Sequence, residues 1–379
     1  MNILDNKKLL NLLKELKIKK ISNESLDEIN KLIINKIIDI KKKVKNKNRK
    51  AQLDLLEKKF DINIVSKEKI ASLPSWVKKQ IKDCKIIGNS KKVVLTKEGK
   101  KYHLDNKLND LPGNEWSFFL RSVINTRYNT SGEEGYAHNI RKIHPSPKPP
   151  QLMRDIIKFF TKENEHILDY FMGVGGTLLG ASMLKRNALG IDLSSKYISA
   201  YKKANKELKL SEQKTIKGDC LEVLENKKLI EQYLNNKKFS LIAIDPPYGD
   251  MLSREKTGEA IKKNKSTEAT PFTNSKKDLG NMSWNSFKNE FIKTVELSMP
   301  FLKDRGHYVV FIKDLQPKEG STNLLHADII EEMNKIDNLH YLGMKIWADE
   351  SINLYPYGYP HSFVSNQLHQ YIMFFRKKL

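Results

Sequence analysis

LIAIDPPYGD, residues 241–250, decides how the rest of the chain is read. Four residues with the composition of a buried strand run into Asp245, Pro246, Pro247 and Tyr248. Proline has no backbone N–H to give to a ladder, so the strand must stop there. The strand end therefore presents an acid, a stiff turn and an aromatic ring. In a sheet of alternating strands and helices, that is where ligands bind.

Working outward from this strand, the alternation is regular. MRDIIKFFT predicts a helix, HILDYF a strand and VGGTLLGASMLKR a helix. ALGIDL follows as a strand, then SSKYISAYKKANKEL as a helix opened by Ser194 and Ser195. KTIKGDC predicts a strand, CLEVLENKKLIEQYL a helix and FSLIAID the fourth strand. WNSFKNEFIKTVELSMPFL, HYVVFIKD and TNLLHADIIEEMNKI continue as helix, strand and helix, and LHYLGMKIWA and QYIMFFRK close as two strands. Such alternation implies a mostly parallel sheet with helices on both faces. The last two strands have no helix between them and should pair antiparallel. The expectation is an α/β, Rossmann-like sheet of seven strands, antiparallel only at its last strand.

Ahead of this region the pattern differs. Residues 1–60 carry apolar residues at helical spacing, among them Leu9, Leu13, Leu16, Ile33, Ile37 and Ile40, separated by lysine runs. KKVVLTKEGKKYHL, 91–104, alternates about Glu98-Gly99 and suggests a hairpin. Residues 1–105 thus predict a small, mainly helical domain, compatible with a winged-helix-like, DNA-binding module. Residues 106–150, with LPGNEW, NTSGEEG and HPSPKPP, predict a loop-rich connector, and 140–379 a catalytic domain interrupted by the polar loop 250–283.

Sixty-eight Lys and Arg against 45 Asp and Glu give a formal charge of +23, which favours a polyanionic partner, most simply nucleic acid. Arg121, Arg127 and Arg141 in the connector are candidates to hold phosphates. Two cysteines, Cys84 and Cys220, make neither a disulfide framework nor a cysteine metal site. With no signal peptide and no apolar run long enough to span a bilayer, the expected location is the cytoplasm, with no membrane partner.

Three further strand ends carry polar or glycine signals. DYFMGVGGT, 169–177, places Gly173 and Gly175 where a chain must turn tightly and approach a ligand. Asp192 ends the next strand, where an acid can grip two ribose hydroxyls. Asp219 follows the third, placed to accept from an adenine amine. No phosphate-binding lysine loop is present. Together these describe a pocket for an adenosine-type cofactor without a phosphate tail. No metal is required.

HPSPKPPQLM (144–153), DYFMGVGG (169–176) and IDPPYG (244–249) resemble, in that order, motifs X, I and IV of the amino-directed S-adenosylmethionine-dependent DNA methyltransferases, which modify adenine N6 or cytosine N4. The resemblance covers about residues 140–379. It departs at Tyr170, where many relatives have proline, and at 174–176. It implies S-adenosylmethionine held by His144, Pro145, Lys148, Asp169, Phe171, Gly173, Gly175, Thr177, Asp192, Asp219, Cys220 and Asp245. It also implies that Asp245 and the Pro246 carbonyl accept the two N–H groups of a flipped base, with Pro247 stiffening the turn and Tyr248 stacking on the base.

Asp rather than Ser at the head of motif IV points to adenine N6. Cytosine N4, a guanine-N2 tRNA methyltransferase and a non-catalytic nucleic-acid-binding subunit are the alternatives. The last strand runs to Leu379, so target reading is expected from residues 1–135, from loop 250–283 folded over the flipped base, or from a separate specificity subunit. Double-stranded DNA is the expected substrate. A cognate restriction endonuclease and a second copy of the chain are the other partners the resemblance leaves open.

Overall fold

The structure is a computed structural model that describes residues 73–80, 84–87, 92–249, 271–315, 324–356 and 358–378. The lysine-rich helical pattern of residues 1–60 lies outside them, and so does most of loop 250–283. The described residues fall into two compact units: one reaches Asn106 and takes in 112–114, and the other takes 107–111 and Glu115 onward.

In the first unit, the short helix α1 (Ser75–Lys78) accompanies an antiparallel meander of β1 (Lys85–Ile87), β2 (Val93–Leu95) and β3 (Lys101–His103). The β2–β3 pair is the hairpin expected from KKVVLTKEGKKYHL, in the register Val94 opposite Tyr102. Gly99, at φ +80°, supplies its turn. Leu73, Val77, Val94 and Tyr102 form the small core.

The second unit is built on β4 (Val123–Thr126), β5 (His166–Asp169), β6 (Asn187–Asp192), β7 (Lys214–Lys217), β8 (Phe239–Ile244), β9 (Leu302–Ile312), β10 (Leu339–Asp349) and β11 (His369–Lys377). They form one sheet in the order β4-β10-β11-β9-β8-β5-β6-β7. Only β11 runs against its neighbours, β9 and β10. The sheet has eight strands rather than seven. The added edge strand, β4, comes from the connector 106–150 and pairs parallel with β10. Trp347 on β10 fixes it by donating from Nε1 to Thr126 Oγ1 at 2.8 Å.

Period-two alternation splits the sheet between two cores. Ile242, Ile244, Tyr308 and Val310 face one side, with Phe287, Phe291 and Val295 of α9 (Trp284–Ser298). Leu241, Ala243, Val309 and Phe311 face the other. There they meet Leu152, Ile156 and Ile157 of α4 (Pro150–Phe160) and Leu178 and Leu179 of α5 (Gly176–Met183). Two short helices, α2 (Gly113–Phe119) and α3 (His138–Arg141), sit in the connector. Ser194 accepts from Tyr197 N to cap α6 (Ser195–Glu207). The helix expected over 220–234 is two, α7 (Cys220–Glu225) and α8 (Lys227–Leu234), because Asn226 leaves helical geometry at ψ 75°. The last helix, α10 (Leu325–Asn334), precedes β10.

The chain leaves β5 outward through β6 and β7, then returns to β8 on the other side of β5. That reversal opens a crevice at the carboxyl ends of the strands, between β5 and β8.

Candidate active site

The turn after β5 begins with Asp169. Its carboxylate accepts from Thr177 Oγ1 at 2.5 Å and from Phe171 N at 3.1 Å, which closes the turn on the first residues of α5. Gly173 (φ +49°) gives its N–H to Asp192 Oδ2 at 2.8 Å, tying the turn to the end of β6. A Cβ at Gly173 would lie 3.2 Å from His144 Nε2, tighter than an ordinary contact, and the positive φ would strain any other residue, so glycine suits this approach of the loop to the His144 ring. Gly175 (φ +76°) is required for another reason. A Cβ there would fall 2.2 Å from the Tyr201 ring, so this glycine packs the turn against α6 and does not border the cavity.

The cavity in the crevice is bordered by His144, Phe171, Gly173, Thr177, Asp192, Cys220 and residues 245–248. Asp192 accepts two backbone N–H groups, from Gly173 and from Ser194, each at 2.8 Å. Burial outweighs both bonds and pushes its carboxyl up to about 7. Asp169 is also pushed up to about 7, chiefly by burial. His144 is lowered to about 4, again by burial, so its ring is neutral near pH 7. Its Nδ1 accepts from Ser146 N at 3.2 Å, which leaves the proton on Nε2. Burial likewise pushes the Cys220 thiol up.

At the end of β8, Asp245 closes a ring of four side chains. Lys148 Nζ lies 2.7 Å from Asp245 Oδ2 and donates to Gln370 Oε1 at 2.8 Å. The Tyr248 hydroxyl donates to Asp245 Oδ1 at 2.9 Å and accepts from Gln370 Nε2 at 3.3 Å. Tyr248 is buried, and it separates the first cavity from a second one bordered by Tyr128, Lys148, Asp314, Trp347 and Gln370.

Several expected residues stand elsewhere. Asp219 accepts from Leu221 N at 2.9 Å as the cap of α7, and its neighbours Gly218 and Cys220, not Asp219, border the first cavity. Pro145 borders the second cavity. Arg141 is buried and not a phosphate-facing surface group. It donates to Tyr136 O at 3.2 Å and to Lys148 O at 2.9 Å, so it pins the backbone of 136–148. Burial lowers its guanidinium to about 10. Arg121 and Arg127 are exposed, Arg121 over the Phe118 ring at 4.3 Å.

Other residues carried no signal in the sequence. Phe272 stacks on His144 with ring centroids 5.0 Å apart, and its carbonyl accepts from the Tyr197 hydroxyl at 3.2 Å. The described end of loop 250–283 thus lies on the first cavity, with Thr273, Lys277 and Asp278 also at its border. Tyr170, the departure from the motif I pattern, is explained by a buried hydroxyl cluster: it bonds the Tyr308 hydroxyl and accepts from Thr294 Oγ1 at 3.1 Å.

Residues 11–203, just over half of the chain, match the model of the DNA methylase family. The chain belongs to that family. Residues 153–288 of this methylase also match the family described as conserved hypothetical protein 95. It is 30% identical over 149 residues to a tRNA (guanine(10)-N2)-dimethyltransferase of Methanocaldococcus jannaschii, across 39% of this chain and 41% of that one. It is 43% identical over 60 residues to the type II methyltransferase M2.LlaDCHI of Lactococcus lactis subsp. cremoris, across 16% of this chain and 22% of that one. The matches therefore span well under two thirds of these relatives. Among solved structures, TrmN of Thermus thermophilus is similar at 12% identity and a TM-score of 0.40, over 64% of this chain and 53% of that one.

S-adenosylmethionine is the cofactor of this family, and the first cavity suits it. Carboxylates of Asp169, Asp192 and Asp245 border a cleft whose two ammonium groups are already paired, Lys148 with Asp245 and Lys277 with Glu222. That donor set favours a sulfonium over a phosphate, and Phe171 and Phe272 offer apolar faces for a purine. No helix among the described residues is long and apolar enough to cross a membrane.

Proposed function

We propose that this methylase transfers a methyl group to the exocyclic amine of a base flipped out of double-stranded DNA, with adenine N6 as the target. The observation that carries the reading is the position of Asp245-Pro246-Pro247-Tyr248 at the end of β8: all four border the first cavity, and Tyr248, bonded to Asp245, also borders the second. In this reading the first cavity holds S-adenosylmethionine, whose sulfonium supplies an electrophilic methyl group. Asp192 accepts from the ribose hydroxyls, Gly173 lets the backbone approach, and His144, Phe171, Phe272 and Cys220 wall the rest. The second cavity receives the base.

An exocyclic amine is a poor nucleophile because its lone pair is delocalised into the ring. Asp245 accepts one N–H and the Pro246 carbonyl the other, and these two acceptors free the lone pair. The prolines hold both acceptors without offering a competing N–H. Both Asp245 oxygens are taken in the absence of a base, by Lys148 and by Tyr248. An entering amine therefore displaces one of them, and the Tyr248 hydroxyl is the neutral and cheaper one to release. Asp at the head of this motif, where relatives acting on cytosine more often carry Ser, supports adenine.

A second reading has a specific basis. The archaeal relative that is 30% identical is named for guanine N2 of tRNA, an exocyclic amine of the same kind. The test is to offer the purified chain unmethylated duplex DNA and unmodified tRNA, with isotope-labelled S-adenosylmethionine, and to identify the labelled nucleoside by mass spectrometry. N6-methyladenine in DNA is expected. N4-methylcytosine would move the target, and label confined to tRNA guanine would overturn the DNA reading.

A further inference from the structure

The second cavity has a mouth that the methyl-transfer chemistry does not use. Between β10 and β11 the chain makes a long excursion, 350–368. Both of its ends border the cavity, through Asp349, Ser351 and Ile352 on one side and Gln367 and Leu368 on the other. The excursion is braced at its base. Asp349 N donates to Leu368 O at 3.0 Å, Tyr355 N donates to Asn366 Oδ1 at 2.9 Å, and Asn366 Nδ2 donates to Tyr355 O at 2.8 Å. Its tip is a tight turn in which His361 N and Ser362 N both donate to Gly358 O at 2.7 Å. Gly358 (φ +75°) makes that turn possible, since a Cβ would lie 2.4 Å from Ser362 O.

This braced tip does not bury its large side chains. Phe363 is 91% exposed, Tyr359 81% and Leu354 69%. Side chains this exposed contribute nothing to either core, and exposed apolar groups on a segment whose two ends border a cavity are free to meet a partner. From residue 351 to 379 the chain has no Asp or Glu, so the excursion beyond its base carries no side chain that repels a polyanion. A duplex that gives up a base into the second cavity is left with an unstacked gap beside that mouth. Apolar side chains inserted between base steps hold such gaps open.

We infer that the β10–β11 excursion is a wedge for duplex DNA, with Phe363 and Tyr359 stacking in the gap left by the extruded base. The inference rests on the DNA reading given above and extends it to a part of the chain outside the family motifs. The Asn366–Tyr355 brace ties the two arms of the excursion together below the turn that carries the rings. A wedge acts only when there is a paired stack to break. That separates it from a surface that merely adds affinity.

The test uses the full chain and a short duplex carrying the site that the labelling experiment maps, in two forms. In one, the target base faces its normal complement; in the other, it faces an abasic position. The double variant Phe363→Ala/Tyr359→Ala should lose about 10- to 100-fold in kcat/KM on the paired duplex, the range of one missing base–aromatic stack, and recover to within about threefold of wild type on the abasic one. Phe363→Trp should retain activity on both. S-adenosylmethionine affinity should be unchanged in every variant, which shows the fold intact. Equal losses on the two duplexes, or no loss on either, would overturn the wedge while leaving the DNA reading in place. If wild type marks no site in DNA, the DNA reading itself fails and the wedge with it.

Discussion

S-adenosylmethionine should bind more tightly as pH rises from 6 to 8, and Asp192 should be the reason. Its carboxyl is pushed up to about 7 by burial, although Gly173 N and Ser194 N both donate to it. Ribose hydroxyls donate best to the ionised form. With a pKa near 7, about a tenth of the carboxyls are ionised at pH 6 and about nine tenths at pH 8, so the dissociation constant should fall about tenfold, or about 1.4 kcal/mol. His144, lowered to about 4, stays neutral throughout this window and does not contribute; Asp169 titrates in the same window, but its carboxylate is spent on Thr177 Oγ1 and Phe171 N, so the part of the slope that Asp192→Asn removes is the part due to the ribose contact. Asp192→Asn removes the titrating group while keeping one acceptor oxygen. It should flatten the pH dependence and weaken binding at pH 8 by about 10- to 100-fold, the cost of charge-assisted hydrogen bonds. The stability of the ligand-free chain should run the other way. The folded state keeps a proton that the unfolded state gives up above about pH 4, so the contribution of Asp192 to stability falls as pH rises from about 4 to about 7, by at most about 1.4 kcal/mol per unit. Isothermal titration calorimetry at pH 6, 7 and 8 on both proteins measures the binding arm. An unchanged slope in Asp192→Asn, or unchanged affinity at pH 8, would show that Asp192 does not hold the ribose.

Three other perturbations have defined outcomes. Tyr248→Ala should reduce methyl transfer by about 5- to 100-fold because the base has no ring to stack on, while Tyr248→Phe keeps the ring and should cost less, a contrast read in single-turnover rates; equal losses would make the hydroxyl bond to Asp245 the dominant contribution. Arg141→Met removes a buried guanidinium that satisfies two carbonyls and should destabilise the fold by about 2–4 kcal/mol in chemical unfolding, whereas Arg121→Ala, on the surface, should change stability little. If residues 1–105 bind the DNA backbone, as we propose, their removal should leave S-adenosylmethionine affinity unchanged and flatten the slope of log affinity against log salt by about 0.9 for each phosphate that is no longer neutralised.

The sheet was legible because its strands obey simple rules. Leu241 to Ile244 are apolar on both faces, as a central strand covered on both sides must be, and Asp245-Pro246-Pro247 marks where that strand has to stop. β4 was hidden for the opposite reason. Its four residues, Val123–Thr126, are half-exposed at the sheet edge and gain strand geometry only by pairing with β10, more than 200 residues away. The candidate site shows the same division. Gly173, Asp192 and residues 245–248 are local to strand ends, so spacing finds them. Asp219 could not be told from a ligand, because a helix cap and a cofactor-facing acid occupy the same place after a strand. Arg141 lies in a polar connector and reads as surface, yet the carbonyls of Tyr136 and Lys148 draw it inside. Gln370, which closes the ring with Lys148, Asp245 and Tyr248, lies on the last strand and has no motif to announce it.

In the proposed function, Asp245 activates a base amine and is not needed to hold S-adenosylmethionine. This role is tested most directly by a single-turnover comparison of the wild-type chain with Asp245→Ala, both saturated with labelled S-adenosylmethionine and mixed with the duplex carrying the mapped site. The variant should bind the cofactor within about threefold of wild type and transfer methyl at least about 100-fold more slowly, the scale of removing one group that stabilises a transition state. Transfer by Asp245→Ala at the wild-type rate would contradict that role.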